Sequence, residues 1–297
     1  MKALIMDIDH FAVHDGPGIR TSIYFKGCPL SCTWCHSPES QSAAPEILYT
    51  AARCVLCGKC VSSCPKNLHQ INEKGHSFSR GNCDTCGDCA RVCPQGALSI
   101  SGKEKTLDEV LAEALSDEVF YKNSGGGVTL SGGEVLLQGS FVKLLLDELK
   151  RRGIHTIVET AGYGSKEDLL AMADSASLFY FDFKLADPQS FKHYIGLESG
   201  LIWDNLESLR RKTASIVLRV PLIPTITDKP ENIAALYRLA AELKIATVHL
   251  LPYNYSAGAK YEWVGRDYPL DFLKDQSQVP EDLLAIDHPG VEALIVR

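Results

Sequence analysis

Eleven of the 297 residues are cysteine, and they fall in groups of three, four and four. This constrains the fold more than any other feature, because each group has to be gathered around something or paired. An odd number suits disulfide pairing poorly, and a reducing compartment does not preserve such pairs. Cys54-x2-Cys57-x2-Cys60-x3-Cys64-Pro65 recurs as Cys83-x2-Cys86-x2-Cys89-x3-Cys93-Pro94, every cysteine offset by 29 positions. A zinc ribbon would use four ligands per site but leaves the two prolines unexplained.

The remaining group is Cys28-x3-Cys32-x2-Cys35, within Phe25-Lys-Gly-Cys-Pro-Leu-Ser-Cys-Thr-Trp-Cys35. Three thiolates on one tight loop can hold a four-iron, four-sulfur cluster by three corners and leave the fourth iron open to a substrate or cofactor. A three-cysteine zinc knuckle and three buried apolar thiols are the plainer readings. Zinc sites usually add a second cysteine pair, and His36 follows Cys35 too closely to be a normally spaced ligand.

The surrounding residues extend the cluster reading. Phe11-Ala-Val-His-Asp15-Gly-Pro-Gly-Ile-Arg20-Thr, then Phe25-Lys-Gly-Cys-Pro and Trp34-Cys35-His36-Ser-Pro-Glu39, resemble the amino-terminal signature of the glycyl-radical-enzyme activases of the radical S-adenosylmethionine superfamily. The cysteine repeat resembles bacterial two-cluster ferredoxins, in which the fourth cysteine of each run serves the other cluster. That resemblance implies one cluster on Cys54, Cys57, Cys60 and Cys93 and a second on Cys83, Cys86, Cys89 and Cys64. Together these imply three [4Fe-4S] clusters, one binding S-adenosylmethionine and two auxiliary.

Composition sets outer bounds. With 45% hydrophobic and 23% charged residues the chain can bury a sizeable core. A net charge of −7 argues against nucleic acid as a partner, since phosphate binding needs a clustered basic surface. No apolar run approaches the roughly 20 residues of a membrane span, and the opening apolar run is broken by Asp7 and Asp9. A cytoplasmic location and no membrane partner are the expectation.

Along the chain, Ala3 to Ile8 and Thr21 to Phe25 read as strands around the Asp15-Gly16-Pro17-Gly18 turn. After Leu98-Ser-Ile100, strand and helix alternate. Strands are expected at Val128 to Leu130, Thr156 to Val158, Leu178 to Phe181, Ile216 to Val220 and Thr247 to Leu251, with Ala293 to Val296 a further one. Helices are expected from the Thr106-x-x-Glu109 capping box to Val119, over Phe141 to Arg152, from Ser165 to Ala173, over Asp204 to Arg211 and over Glu231 to Leu243. Such alternation implies a parallel sheet with right-handed crossovers. The fold class expected is α/β, a partial (β/α)6 radical S-adenosylmethionine barrel with an inserted α+β bacterial-type ferredoxin domain carrying two [4Fe-4S] clusters. The boundaries are 1–48 for the first part of the core, 49–101 for the insert and 102–297 for the rest.

Each core strand is followed at once by a polar or glycine-rich group, and in barrel-type folds such groups meet at one mouth. Gly132-Gly133-Glu134, Glu159-Thr160, Asp182-Phe-Lys184, Arg219 and Asn254 all stand in such places. Glycine pairs are most often simple turns, though here they would also let the backbone approach a ligand, with Glu134 accepting from an amine. The family resemblance implies that Gly132, Gly133 and Glu134 meet the amine of S-adenosylmethionine, that Glu159, Thr160, Asp182 and Lys184 meet its carboxylate and ribose, and that Trp34 borders the adenine. It also lets Glu159 and Asp182 hold a monovalent cation, although Glu159-Thr-Ala-Gly162 replaces the Asp-Thr-Asn-Gly of the pyruvate formate-lyase activases. Arg219 suits a carboxylate as a fixed fork of donors. Asn254 replaces a family histidine after Leu-Pro-Tyr, and Asp15 is placed facing the partner's glycine-bearing loop. His10 and His14 read as hydrogen-bonded turn residues.

The activity implied is reductive cleavage of S-adenosylmethionine to methionine and a 5′-deoxyadenosyl radical, which takes a hydrogen from a glycine of a partner enzyme. Flavodoxin or ferredoxin would be the electron donor. A maturase or dehydrogenase acting directly on a peptide or small molecule is one alternative, but its auxiliary clusters usually lie at the carboxyl end. A ferredoxin-type electron carrier is the other, but it leaves the strand-end groups after residue 101 without a role.

Overall fold

The computed structural model describes residues 1–213, 215–273, 281–286 and 289–296. The amino-terminal part runs β1 (Lys2–Ala12), β2 (Arg20–Phe25), β3 (Glu46–Tyr49), α1 (Lys59–Ser63), β4 (His69–Asn72), β5 (Gly75–Phe78), α2 (Asp88–Arg91), β6 (Leu98–Ser101) and β7 (Lys103–Thr106). There follow α3 (Leu107–Ser116), α4 (Glu118–Ser124), β8 (Gly127–Gly132), α5 (Gly139–Arg151), β9 (His155–Thr160), α6 (Lys166–Met172), β10 (Leu178–Asp182), α7 (Pro188–Ile195) and α8 (Gly200–Lys212). The described chain ends with β11 (Ile216–Leu222), α9 (Pro230–Glu242), β12 (Thr247–Pro252), α10 (Ala257–Trp263) and β13 (Glu292–Ile295).

One sheet has the order β13-β12-β11-β10-β9-β8-β2-β1-β7. From β2 to β13 every neighbouring pair is parallel, and β1 is antiparallel to both β2 and β7. Parallel neighbours need crossovers, and the helices between successive strands supply them. In α5, Phe141, Val142, Leu145, Leu146 and Leu149 are all buried. Their spacing makes one apolar stripe, and fully burying each side chain contributes about 2 kcal/mol. The helix stops at Gly153, which takes φ 71° and donates its N–H to the Lys150 carbonyl at 2.9 Å.

The expected capping box at Thr106 and Glu109 is present, but its helix ends at Ser116, short of Val119. Asp117 leaves helical geometry at φ −102°, ψ 9°, and its carboxylate is taken by the His10 ring and the Thr21 hydroxyl, each at 2.7 Å. Tertiary partners thus break what local propensity would have continued. The short helices α7 and α10 were not anticipated, although Asp187 before Pro188 is a helix-start signal and caps α7 by accepting from the Ser190 N–H.

Residues 46–101 build two small antiparallel pairs, β3 with β6 and β4 with β5. Their core of Ile47, Cys60, Cys89 and Leu98 is separate from the main one. Among the described residues no helix is long and apolar enough to cross a membrane.

Candidate active site

Strand parity decides which residues reach the mouth. In β11, Ile216, Leu218, Val220 and Leu222 are buried, while Val217, Arg219 and Pro221 are half-buried on the opposite face. The register sets Asp182 of β10 beside Arg219 and Tyr180 beside Glu159 of β9. These side chains therefore share one face at the carboxyl ends of neighbouring strands.

The three-cysteine loop is sewn to the glycine segment of the next parallel strand. Phe25 pairs with Gly132, the Gly133 N–H donates to the Phe25 carbonyl and the Glu134 N–H to the Gly27 carbonyl, both at 2.8 Å. A Cβ on Gly133 would lie 2.1 Å from the Gly27 oxygen, so a side chain there would displace the loop. On the other side, the Ser31 and Thr33 N–H groups donate to the Ile195 and Tyr194 carbonyls of α7 at 2.9 and 3.0 Å.

The Glu134 side chain is taken up by donors of the protein itself. The residue is 1% exposed and accepts from the Thr160 hydroxyl at 2.5 Å, the Ala161 N–H at 2.9 Å and the Leu136 N–H at 3.2 Å. Burial pushes its carboxyl above the ordinary value and these donors pull it back. Glu134 and Thr160 therefore tie the ends of β8 and β9.

Arg219 stands between two carboxylates. It pairs with Glu159 and lies 3.5 Å from Asp182, over the Tyr180 ring at 5.1 Å. Burial opposes its charge, but Glu159 and Asp182 hold it above the ordinary arginine value. Glu159 also accepts from the Ser131 hydroxyl at 2.5 Å, and Lys184 lies 3.3 Å from Asp182. Burial works against the Lys184 charge, and Asp182 with the Cys32 and Cys28 sulfurs more than restores it. Trp34 Nε1 is buried without a hydrogen-bond partner among the described residues, and Asp182 Oδ1 and Arg219 Nε, 3.5 Å apart, face each other in an ion pair too long for a good hydrogen bond. Buried polar atoms are nearly always satisfied, so these groups leave hydrogen-bonding capacity open to a polar ligand.

The sulfurs fit a cationic cluster. Burial pushes the thiols of Cys28, Cys32 and Cys35 upward, Cys32 to about 12, and only bound positive charge would make thiolates of them. Trp34 is 5% exposed and packs on Tyr194 with ring centroids 6.2 Å apart. Asp15 lies on the same inner face as Glu159, its carboxylate accepting from the Ser22 and Tyr24 hydroxyls at 2.5 and 2.8 Å. Asn254 turns its side-chain oxygen to the Ser256 N–H and meets the site through its carbonyl, 2.8 Å from His36 Nε2.

In the segment of residues 46–101 one cavity is lined by Cys54, Cys57, Cys60 and Cys93, and another by Cys64, Cys83, Cys86 and Cys89. Each takes its fourth cysteine from the other run.

Residues 14–187 match the family model described as a 4Fe-4S single cluster domain. The chain is 39% identical over 279 residues to the choline trimethylamine-lyase activating enzyme of Oleidesulfovibrio alaskensis, covering 91% of this chain and 89% of that protein. It is 38% identical over 281 residues to the trans-4-hydroxy-L-proline dehydratase activating enzyme of Clostridioides difficile, covering 94% and 93%. The chain belongs to the glycyl-radical-enzyme activating enzymes. Its fold is also that of Streptococcus suis SuiB bound to precursor peptide SuiA, with a TM-score of 0.51, 12% identity, and 88% of this chain and 46% of that chain covered. A [4Fe-4S] cluster and S-adenosylmethionine go with this membership, and the relatives act on glycyl radical enzymes.

The activating enzyme also places, around these groups, residues that sequence reasoning passed over. Arg20 is fully buried and donates to Thr129 Oγ1, the Val128 carbonyl and the Pro17 carbonyl at 2.7, 2.8 and 3.1 Å. Burial lowers its guanidinium to about 10. Tyr24 holds Asp15, and Tyr261 of α10 lies against Cys35, which helps hold its phenol above the ordinary value after burial. The period-2 run Arg20-x-Ser22-x-Tyr24, polar on one face of β2, was the available signal for the first two.

Proposed function

We propose that this activating enzyme holds S-adenosylmethionine at the mouth formed by the Cys28/Cys32/Cys35 loop, Gly132-Gly133, Asp182, Lys184 and Arg219, on a partial (β/α)6 barrel, and activates a glycyl radical enzyme. The buried Trp34 Nε1, which has no hydrogen-bond partner among the described residues, and the long 3.5 Å contact between Asp182 Oδ1 and Arg219 Nε carry this reading. When bound, a reduced cluster supplies the electron that cleaves the cofactor to methionine and a 5′-deoxyadenosyl radical, which takes a hydrogen from a glycine α-carbon of the partner.

The protein's own part is positional. Asp182 offers an acceptor for a hydroxyl, Arg219 a donor fork for a carboxylate, and the Gly132-Gly133 backbone a close approach. Arg219 already supplies positive charge between Glu159 and Asp182, where a monovalent cation was expected. Lys184 faces the Cys32 and Cys28 sulfurs and steadies their negative charge. Asp15, held by Ser22 and Tyr24, faces the interior that would admit the partner's glycine loop.

Residues 49–101 are proposed as a ferredoxin insert holding two further clusters at the two cysteine-lined cavities, passing electrons inward from flavodoxin or ferredoxin. A cytoplasmic location accords with eleven unpaired cysteines.

Anaerobic reconstitution tests the proposal. A Cys28→Ala chain should lose 5′-deoxyadenosine formation yet keep about eight irons, four at each auxiliary site. With the reconstituted parent chain, S-adenosylmethionine and reductant, paramagnetic resonance of the captured partner should show a glycyl-radical doublet. Cofactor cleavage without a protein radical would mean direct action on a peptide or small molecule. Retained cleavage in Cys28→Ala would remove the three-cysteine loop from the chemistry.

A further inference from the structure

We infer that His76 and His69 form a hydrogen-bond relay that sets the reduction potential of the Cys54/Cys57/Cys60/Cys93 centre, the two histidines acting in opposite senses. The inference rests on the proposal that these cysteines hold a cluster. His69 on β4 and His76 on β5 face each other across a hairpin whose register pairs His69 with Phe78 and Ile71 with His76. His76 Nε2 lies 3.6 Å from Cys60 Sγ and 3.0 Å from His69 Nδ1. His69 is 2% exposed, and its ring stacks on both His76 and Phe78, with centroids 5.1 and 4.6 Å away. His76 lines the cavity of Cys54, Cys57, Cys60 and Cys93, whereas His69 lines the cavity of Cys64, Cys83, Cys86 and Cys89.

Both contacts converge on one nitrogen, which carries at most one hydrogen. An iron-bound thiolate only accepts, so a bond to Cys60 requires that hydrogen on His76 Nε2. The other tautomer would put it on His76 Nδ1, which is buried and without a partner among the described residues. A buried unpaired N–H is the rarer defect in folded chains, so the Nε2–H form prevails. The hydrogen is then shared between the Cys60 sulfur and the acceptor His69 Nδ1. Hydrogen bonds to cluster sulfurs favour the more negative, reduced state and raise the potential. His76 therefore raises the potential and His69, by competing for the same hydrogen, lowers it.

The test uses the full chain with Cys28, Cys32 and Cys35 all changed to alanine, so that only the auxiliary centres titrate. Iron and sulfide analysis is followed by a dithionite titration monitored by paramagnetic resonance. His76→Phe should lower the midpoint of one centre, His69→Phe should raise that same midpoint, and His76→Gln, which keeps an N–H donor, should restore much of the loss. Full iron with unmoved midpoints, or shifts of one sign in both phenylalanine variants, overturns the inference alone. Stoichiometric zinc dependent on both histidines also overturns it, since Cys60, His69 and His76 then serve a mononuclear ion. Iron well below about eight in the parent overturns it together with the cluster reading beneath it.

Discussion

The Glu134 carboxylate accepts the Thr160 hydroxyl at 2.5 Å and the Ala161 N–H at 2.9 Å, so an acid just after β8 holds the end of β9. Glu134→Ala leaves those donors and the Leu136 N–H buried without an acceptor, which should cost about 3 kcal/mol at about 1 kcal/mol each. Glu134→Gln keeps one carbonyl oxygen and should lose less. Anaerobic thermal unfolding compares them, and an unchanged midpoint in the alanine variant would show that the carboxylate ties nothing.

Arg219→Met should leave iron content unchanged and weaken S-adenosylmethionine binding at least tenfold, about 1.4 kcal/mol. The reason is that Glu159 and Asp182 then face the mouth without the guanidinium between them. Arg219→Lys should rescue only part of it, because a single ammonium cannot span both carboxylates as a planar fork does. Equilibrium dialysis against the cofactor decides the matter.

Gly133→Ala places a methyl group 2.1 Å from the Gly27 oxygen, one residue before Cys28. The expected outcome is loss of about four irons with the two auxiliary centres intact, seen by iron analysis and paramagnetic resonance. Full iron in this variant would mean that the loop yields without disturbing its cysteines.

The crossed grouping of the repeat predicts a non-additive pattern. Cys54→Ala with Cys93→Ala should lose about four irons, no more than either change alone, because both line one cavity. Cys83→Ala with Cys93→Ala should lose about eight, because they line different cavities. The reverse pattern would restore each run to its own centre.

His10 contacts Asp117 at 2.7 Å and Glu113 at 3.5 Å, and these acids hold its imidazole above the ordinary value against some burial. A raised folded-state value makes its contribution complete below the unfolded value of about 6.5 and lost as pH rises through the folded value. The unfolding-midpoint difference between the parent and His10→Gln should therefore be largest below the unfolded value of about 6.5 and shrink as pH rises above it. A difference that is flat with pH would assign the contact to a neutral imidazole.

Much of the fold could be read from periodicity. The stripe of α5, the Ser165 cap and the strand cores of β8 to β12 follow from spacing and local hydrogen bonding. The reading was weakest where distant partners overrode local preference. Asp117 ends α3 because His10 and Thr21 claim its carboxylate, and nothing near Asp117 in sequence announces them. The site had the same character: the strand-end groups could be located, but the partners of Glu134 could not.

The sequence by itself determined the donor types and their local spacing: three thiols on one loop, two runs of four, and polar residues at alternate strand positions. Such features depend on residues a few places apart, where backbone geometry leaves few options. Tertiary structure alone decided that Arg219 stands between Glu159 and Asp182 and that His76 reaches Cys60. Those meetings depend on sheet register and on which face each strand buries. A one-residue slip there reverses every side chain, and no short stretch of sequence encodes it.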